Sequence, residues 1–318
     1  MTAKRIAAIA IAAVLIVAAL LIRNGLDDDS SSATDGTDKP TGGKITVICS
    51  TEFEAICSGL DSKKYTATTE PAGDTLDRLA EAGAALPDAW ITLDPFPGMI
   101  DEIRRSSGVP PLAPAVGVAV VATDTPVLAV SALFFPSIGK LCGGTITWKC
   151  AGSNAGESLE KGGDLLPGLT NPDDEAGGLV TFANAIASYF NSTDLDASEW
   201  EDNGLVGWLR NFHANVKVTV GGEAPLSSVI NRKTFINVGA STTSEAAGTN
   251  QQSAFKTVQA TPSIAYAAVV ATFGNRAGSL ASVVGPLLVN AGWTKAGDPK
   301  STLPAGTFVA LRRLWEGK

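Results

Sequence analysis

The side chains that could carry chemistry are few, and their spacing narrows what they can do. The chain has one histidine, His213, and four cysteines, Cys49, Cys57, Cys142 and Cys150, with no CxxC among them. A structural zinc site draws on clustered Cys and His ligands, so no metal site is expected. A single imidazole near the end of an expected helix reads as a packing or surface residue rather than a proton-transfer group. Ser137-Ile-Gly-Lys140 fits the loose SxxK spacing of penicillin-binding enzymes, but no KTG accompanies it. GxSxG, Walker A and GxGxxG patterns are absent. Residues 194–199 (DLDASE) begin like a calcium loop, yet Glu199 stands where glycine is needed and Leu205 where the bidentate glutamate belongs. No catalytic residue, cofactor or enzymatic activity is therefore expected.

What remains is a set of hydroxyls, glycines and carboxylates in turns. Ser50, Thr51 and Glu52 follow an expected strand and open an expected helix. Ala176, Gly177 and Gly178 open a second helix, and Thr242, Thr243, Ser244 and Glu245 form a third such turn. Leu93 and Asp94, after another strand, are a weaker fourth. Helix N-termini present unpaired N–H groups and a partial positive charge, which suits carboxylates and oxyanions. Glycine lets a ligand approach the backbone closely. Each turn also has a plainer reading as a helix cap or hydroxyl turn. Asp173-Asp174-Glu175 would repel an anion while favouring the helix dipole. No Arg or Lys falls in these turns, so the expected ligand is neutral, zwitterionic or weakly anionic, if there is one, rather than a tightly held dianion.

The elements that must position these turns alternate. Apolar, β-branched runs at 45–49, 64–69, 88–93, 116–122, 127–131, 216–220 and 235–238 read as strands. Helical spacing appears at 75–84, 97–105, 178–190, 205–213 and 278–292, and 307–311 fits a late strand or a helix entry. Alternation of this kind predicts βαβ units and a mainly parallel sheet. The six tryptophans, Trp90, Trp148, Trp200, Trp208, Trp293 and Trp315, read as core fillers, with Trp200 or Trp208 as candidates to line a cleft.

At 318 residues the chain has room for about two domains. Hydrophobic residues at 45% against 18% charged are enough to bury a core. A net charge of −8 argues against nucleic acid, which calls for a basic stripe. Lys4-Arg5 precede an unbroken apolar run from Ile6 to Ile22. Seventeen residues rise about 25 Å as a helix, the short end of a membrane span. Basic residues ahead of the run predict the N-terminus inside and the rest outside. A cleaved signal peptide is the competing reading, but the run is long for one and ends Leu20-Leu21-Ile22-Arg23, a poor cleavage site. Residues 24–43, polar and rich in Ser, Asp, Thr and Gly, read as a flexible tether. An even cysteine count in an exported domain favours disulfides, and of three possible pairings two local loops, Cys49–Cys57 and Cys142–Cys150, are expected.

Six phrases in order carry a family resemblance: ITVICSTEFEAI, PDAWITLD, TNPDDEAGGLVTFANAI, STTSEAAGTN, TPSIAYAAVV and AGSLASVVGPLLVNAGW. Over roughly 44–318 the chain resembles type II extracytoplasmic solute-binding proteins, and more narrowly actinobacterial substrate-binding domains often fused to von Willebrand factor A modules. The resemblance implies an α/β, two-lobed, periplasmic-binding-protein-like fold, preceded by the one N-terminal transmembrane helix read from the apolar run. Lobe one would be 44–115 plus 261–318 and lobe two 116–260, with the cytoplasmic tip and anchor at 1–23. A small ligand would sit between the lobes, at the turns named above. The implied role is a membrane-anchored solute-binding protein serving an ABC-type permease. The alternative is a cell-surface scaffold or sensor with a von Willebrand A partner.

Overall fold

A computed structural model describes residues 43–112, 116–195, 200–296 and 303–317. The apolar run 6–22 and the tether up to residue 42 lie outside the described residues. Among the described residues no helix is long and apolar enough to cross a membrane.

The β-branched run ITVICS forms β1 (Ile45–Ser50), which turns through Thr51–Phe53 into the short helix α1 (Glu54–Ser58). Next come β2 (Tyr65–Glu70), α2 (Ala72–Ala80), β3 (Ala89–Leu93) and α3 (Phe96–Ser106). β1 pairs in parallel with β2 and β3. Parallel neighbours need a crossover, which α1 and α2 supply. All five residues of β3 are buried, as expected for a strand covered on both faces. β4 (Val116–Asp124) and β10 (Tyr266–Phe273) extend the sheet, β10 running antiparallel to both β3 and β4. A short β11 (Thr294–Lys295) edges onto β4, giving the order β11-β4-β10-β3-β1-β2.

Between β4 and β10 the chain builds a second sheet. Its elements are β5 (Pro126–Ser131), α4 (Phe135–Leu141), α5 (Trp148–Ser153), β6 (Pro167–Thr170), α6 (Ala176–Phe190), α7 (Asn203–Asn215), β7 (Lys217–Thr219), α8 (Pro225–Asn231), β8 (Val238–Thr242), α9 (Thr243–Gly248) and β9 (Phe255–Gln259). The strand order is β7-β6-β8-β5-β9. Helices α10 (Leu280–Asn290) and α11 (Ala305–Glu316) complete the described chain.

Three sequence expectations about the strands need correction. The sheets are mixed rather than mainly parallel, because the strands that leave and re-enter each sheet run against their neighbours. The run after Val116, expected in lobe two, pairs with β10 in the first sheet, so the chain changes sheet at Thr125. The strand expected at 235–238 begins only at Val238, because Phe235 and Ile236 donate their N–H groups back to the Arg232 carbonyl and close a turn.

A large hydrophobic cluster draws on both sheets, and a smaller one, built around Val127, Leu226, Val229 and Phe255, belongs to the second sheet. α6 (AGGLVTFANAIASYF) is buried on every side from Ala176 to Ser188, not on one face as its spacing suggested. A helix apolar or small all round belongs in an interior. Its Asn184 side chain donates to the Ile264 carbonyl at 3.0 Å and accepts the Ile264 N–H at 2.8 Å. That stitches α6 to the segment returning to β10. Arg312 on α11 makes a two-pronged pair with Asp77 on α2, at 2.6 and 2.9 Å, and reaches Asp173 ahead of α6 at 2.7 Å. Both disulfides have the local pairing expected, Cys49–Cys57 and Cys142–Cys150, with Cα atoms 6.5 and 5.6 Å apart. Gly143 and Gly144, at φ 63° and 96°, turn the second loop through backbone space that other residues rarely enter.

Candidate functional site

A cavity of about 280 Å³ opens where strand ends of the two sheets meet. Its walls come from the turn after β1 (Glu52, Phe53), the end of β3 (Leu93) and the start of β10 (Tyr266), with Trp293 following α10. From the second sheet come Thr170 at the end of β6, Glu175, Gly177 and Thr181 around the start of α6, and Gly222, Ala224 and Pro225 before α8. Ala240, Ser241, Thr242, Ser244 and Glu245 close it from β8 and α9. Carboxyl ends of strands feeding helices are where open α/β sheets gather loops around a crevice. The volume sits near the small end of ligand pockets, about 300–1,000 Å³.

Its charge is one-sided: among the described residues three glutamates line the cavity, with no Lys, Arg or His. Glu52 accepts the Gly177 N–H at 2.6 Å, so this carboxylate occupies the positive end of α6. Glu52 keeps exposed surface because it borders the cavity. The surrounding protein still raises its pKa by desolvation, opposed by the Gly177 and Ala176 backbone N–H groups. Glu175 is only 2% exposed, and its Oε2 has no hydrogen-bond partner. Desolvation, then the nearby Glu52 charge, push its pKa up to about 7, while the Thr51 hydroxyl and Gly222 backbone act in the opposite sense. Those two groups favour the charged form without giving Oε2 a bond of ordinary geometry. Glu245 accepts the Ser241 hydroxyl at 2.7 Å, and burial, with Asp124 adding repulsion, raises its pKa.

Several hydroxyls here are committed inward. Ser244 gives its hydroxyl to Asp124, and its N–H lies 3.3 Å from both Asp124 oxygens. Thr242 caps α9 by accepting the Glu245 N–H at 3.3 Å. The Tyr266 hydroxyl bonds Thr181 and reaches the Gly177 carbonyl at 3.2 Å, and burial pushes its pKa well up.

Of the turn residues singled out from sequence, Glu52, Leu93, Gly177, Thr242, Ser244 and Glu245 border this cavity. The others do not. Ser50 is fully buried, donating to Thr92 Oγ1 at 2.8 Å and accepting Trp90 Nε1 at 3.2 Å. Thr51 packs its methyl group where a side chain at Gly222 would stand. Asp94 gives its backbone N–H to Ala267. Ala176 is buried. Gly178 is a packing glycine, since a Cβ there would lie 2.5 Å from the Thr170 carbonyl oxygen. Thr243 is exposed and bonds Thr125. Neither Trp200 nor Trp208 lines the cavity, and Trp208 stacks on Phe212 with centroids 4.9 Å apart. His213 packs against Trp315 at 4.5 Å, and burial lowers its pKa.

Sequence reasoning missed Glu175, Tyr266 and Trp293 as cavity residues. Glu175 carried a usable signal, an acid immediately ahead of the Ala-Gly-Gly that opens the helix. Tyr266 and Trp293 carried little, because an aromatic beside an apolar strand or helix reads equally well as core.

Among the described residues no group of His, Cys, Asp or Glu is gathered closely enough to hold a metal ion. No protein-family model matches the chain, and no curated protein matches it in sequence. Among solved structures it is similar to the periplasmic binding protein AfuA from Actinobacillus pleuropneumoniae, with fructose-6-phosphate bound, at 13% identity and a TM-score of 0.53. That match covers 83% of this chain and 88% of AfuA. The sulfate-binding protein SubI from Mycobacterium tuberculosis H37Rv is 12% identical, with a TM-score of 0.45 over 84% of this chain and 91% of its own. A full-length OxyR variant from Pseudomonas aeruginosa is 9% identical, with a TM-score of 0.45 over 90% of this chain and 80% of its own. At such identities the AfuA likeness establishes a fold: the mixed α/β, two-sheet fold of a periplasmic binding protein.

Proposed function

We propose that this chain is an extracytoplasmic solute-binding protein that captures a small ligand between its two sheets and delivers it to an ABC-type permease. The observation that carries the reading is the cavity of about 280 Å³ walled by strand-end turns from both sheets. The two disulfides suit an oxidising compartment. The apolar run from Ile6 to Ile22 would hold the domain at the cell membrane with its N-terminus cytoplasmic. The ligand-contacting residues would be Glu52, Gly177, Thr242, Ser244 and Glu245, joined by Glu175, Tyr266 and Trp293. Fold alone does not assign a function.

A second reading, a cell-surface scaffold or sensor with a von Willebrand A partner, draws on one observation. The sheets share a core and are stitched by Asn184 to Ile264, which favours a body that does not open widely.

A thermal-shift screen of the full-length chain in detergent separates the two. Oxyanions, sugars, amino acids and amines are the panel. A true ligand at 100 times its Kd stabilises by about 2.7 kcal/mol. A clear upward shift from one chemical class supports solute binding; a flat response across the panel contradicts it and leaves the scaffold.

A further inference from the structure

We propose that the turn at 220–224, between β7 and α8, is a lid over the cavity, seated on Thr51 and Glu175, and that it lifts when the Glu175 carboxyl becomes charged. This concerns how the cavity opens rather than what it holds, and it is tested without a ligand.

Gly222 and Ala224 line the cavity from the second sheet's side. Gly221 and Gly222 stand at φ 66° and 76°, so two residues that change conformation cheaply form the centre of the turn. A 3.4 Å bond from the Glu223 N–H to the Val220 carbonyl closes it. Val220 is 67% exposed, so its side chain faces water instead of packing the turn down. Exposed backbone with little apolar burial is what opens locally in folded proteins. The start of α6 is held more firmly to the first sheet's side. There the Gly73 N–H donates to the Asp174 carbonyl at 2.8 Å, Arg312 reaches Asp173 at 2.7 Å, and the Tyr266 hydroxyl meets the Gly177 carbonyl at 3.2 Å. The turn, not α6, is therefore the part that can move.

The seat joins the two sheets. Gly222 rests on Thr51 of the first sheet, whose methyl carbon lies 2.7 Å from where a Cβ at Gly222 would stand. Thr51 Oγ1 and Glu175 Oε2 are both buried there, and neither has a hydrogen-bond partner. At the root of the lid the Thr219 hydroxyl is buried and unpartnered too. Buried polar atoms are nearly always paired, so this seat is poorly satisfied for a contact meant to stay shut. A neutral carboxyl can be covered beside a hydroxyl, whereas a carboxylate pays a large desolvation cost. The charges facing Glu175 add to that cost. Glu52, from the turn after β1, and Asp174, from its own turn, repel a further negative charge. Asp173 is paired with Arg312, and Glu223 of the lid with Arg232. Glu245 of α9 and Tyr266 of β10 bring acids to the cavity and no cation. Covered, Glu175 has a pKa of about 7 against the usual 4.5. The closed form therefore holds the proton more tightly: acid closes the lid and rising pH opens it. If lifting fully solvates the carboxyl, the open-to-closed ratio grows by up to about 300-fold from below pH 4.5 to above pH 7.

The test is double electron–electron resonance on the full-length chain in detergent, without solute, in a series from pH 4.5 to 9. Nitroxides are placed through Val220→Cys in the lid and Ser106→Cys at the end of α3, both exposed positions. The expected result is one distance at pH 4.5 and a second, displaced population that grows to about pH 7 and then levels off. Glu175→Gln should keep the acid distribution throughout. Thr51→Val keeps a methyl group against Gly222 but removes a hydroxyl that favours the charged form, so its response should extend to higher pH. Gly222→Ala should displace the lid at every pH, because its Cβ would meet Thr51. Glu160→Gln, on the surface, should respond as the parent does. Thermal melts establish that each variant is folded. A parent distribution that does not change with pH would overturn the proposal. So would a pH response that survives in Glu175→Gln or, should that variant not fold, one left unmoved by Thr51→Val. A still lid leaves solute capture standing, and a flat ligand screen leaves the lid standing, so the two readings fail separately.

Discussion

Glu52 and Gly177 meet across the cavity, the carboxylate of the turn after β1 taking the backbone N–H at the start of α6 at 2.6 Å. They lie 125 residues apart, so the contact joins the first sheet's turn to the second sheet's central helix. It fills an anion site from within and leaves the negative charge of Glu52 beside an open volume.

Glu175 should make folding stability fall as pH rises. Its folded pKa of about 7 lies above the usual 4.5, so the folded state holds a proton that the unfolded state has lost. Below 4.5 both states are protonated and no penalty applies. Between 4.5 and 7 stability declines, and above 7 the loss is complete, at most about 3 kcal/mol. His213, whose pKa burial lowers, works in the opposite direction, costing stability as pH falls through its unfolded value. The comparison that isolates Glu175 is therefore Glu175→Gln against the parent, by chemical denaturation at pH 4.5 and 8. The variant should be the more stable at pH 8 and nearly equal at pH 4.5. An equal difference at both pH values would refute the assignment.

Two glycine-to-alanine changes should have opposite signs. At Gly178 a Cβ would stand 2.5 Å from the Thr170 carbonyl oxygen and 2.7 Å from that of Asn171, so α6 would have to move off β6. A loss above about 3 kcal/mol is expected, as for severe core overpacking. Gly207, exposed in α7, has nothing within 4 Å of such a Cβ. Its replacement by alanine should gain up to about 1 kcal/mol. Denaturant midpoints of the two variants check both.

Asn184 satisfies both backbone groups of Ile264 from the middle of α6. Asn184→Ala strips these buried bonds and should cost about 2–4 kcal/mol, read from the same unfolding curves. A loss below about 1 kcal/mol would mean that the return to β10 is held by something else.

Each disulfide closes a short local loop, which on chain-entropy grounds contributes about 2–3 kcal/mol. Paired Cys142→Ala and Cys150→Ala replacement should lower stability by that amount. Non-reducing peptide mapping should recover Cys49 linked to Cys57 and Cys142 linked to Cys150. A cross-linked Cys49 and Cys150 would contradict the pairing.

Local features were the legible ones. The turn after β1 and the turn into α9 announced themselves as hydroxyls and a carboxylate following a β-branched or apolar run, and both border the cavity. The change of sheet did not. Only Thr125 separates β4 from β5, and which sheet each strand joins depends on β10 and β8, more than a hundred residues downstream. β6 (PGLT) was invisible because Pro and Gly argue against a strand, yet Thr170 at its end lines the cavity. Asp173-Asp174-Glu175 read as one acidic run, but tertiary contacts divide it. Asp173 pairs with Arg312, Asp174 accepts the Asn171 side-chain amide, and only Glu175 borders the cavity.

Hydrogen exchange of the full-length chain, with and without the solute that stabilises it most, tests where the ligand sits. Peptides covering 51–53, 176–181 and 241–245 should all exchange more slowly when it is bound, because these segments wall the cavity from both sheets. Protection confined to one sheet's turns, or to a surface away from Glu52 and Glu245, would contradict capture between the sheets.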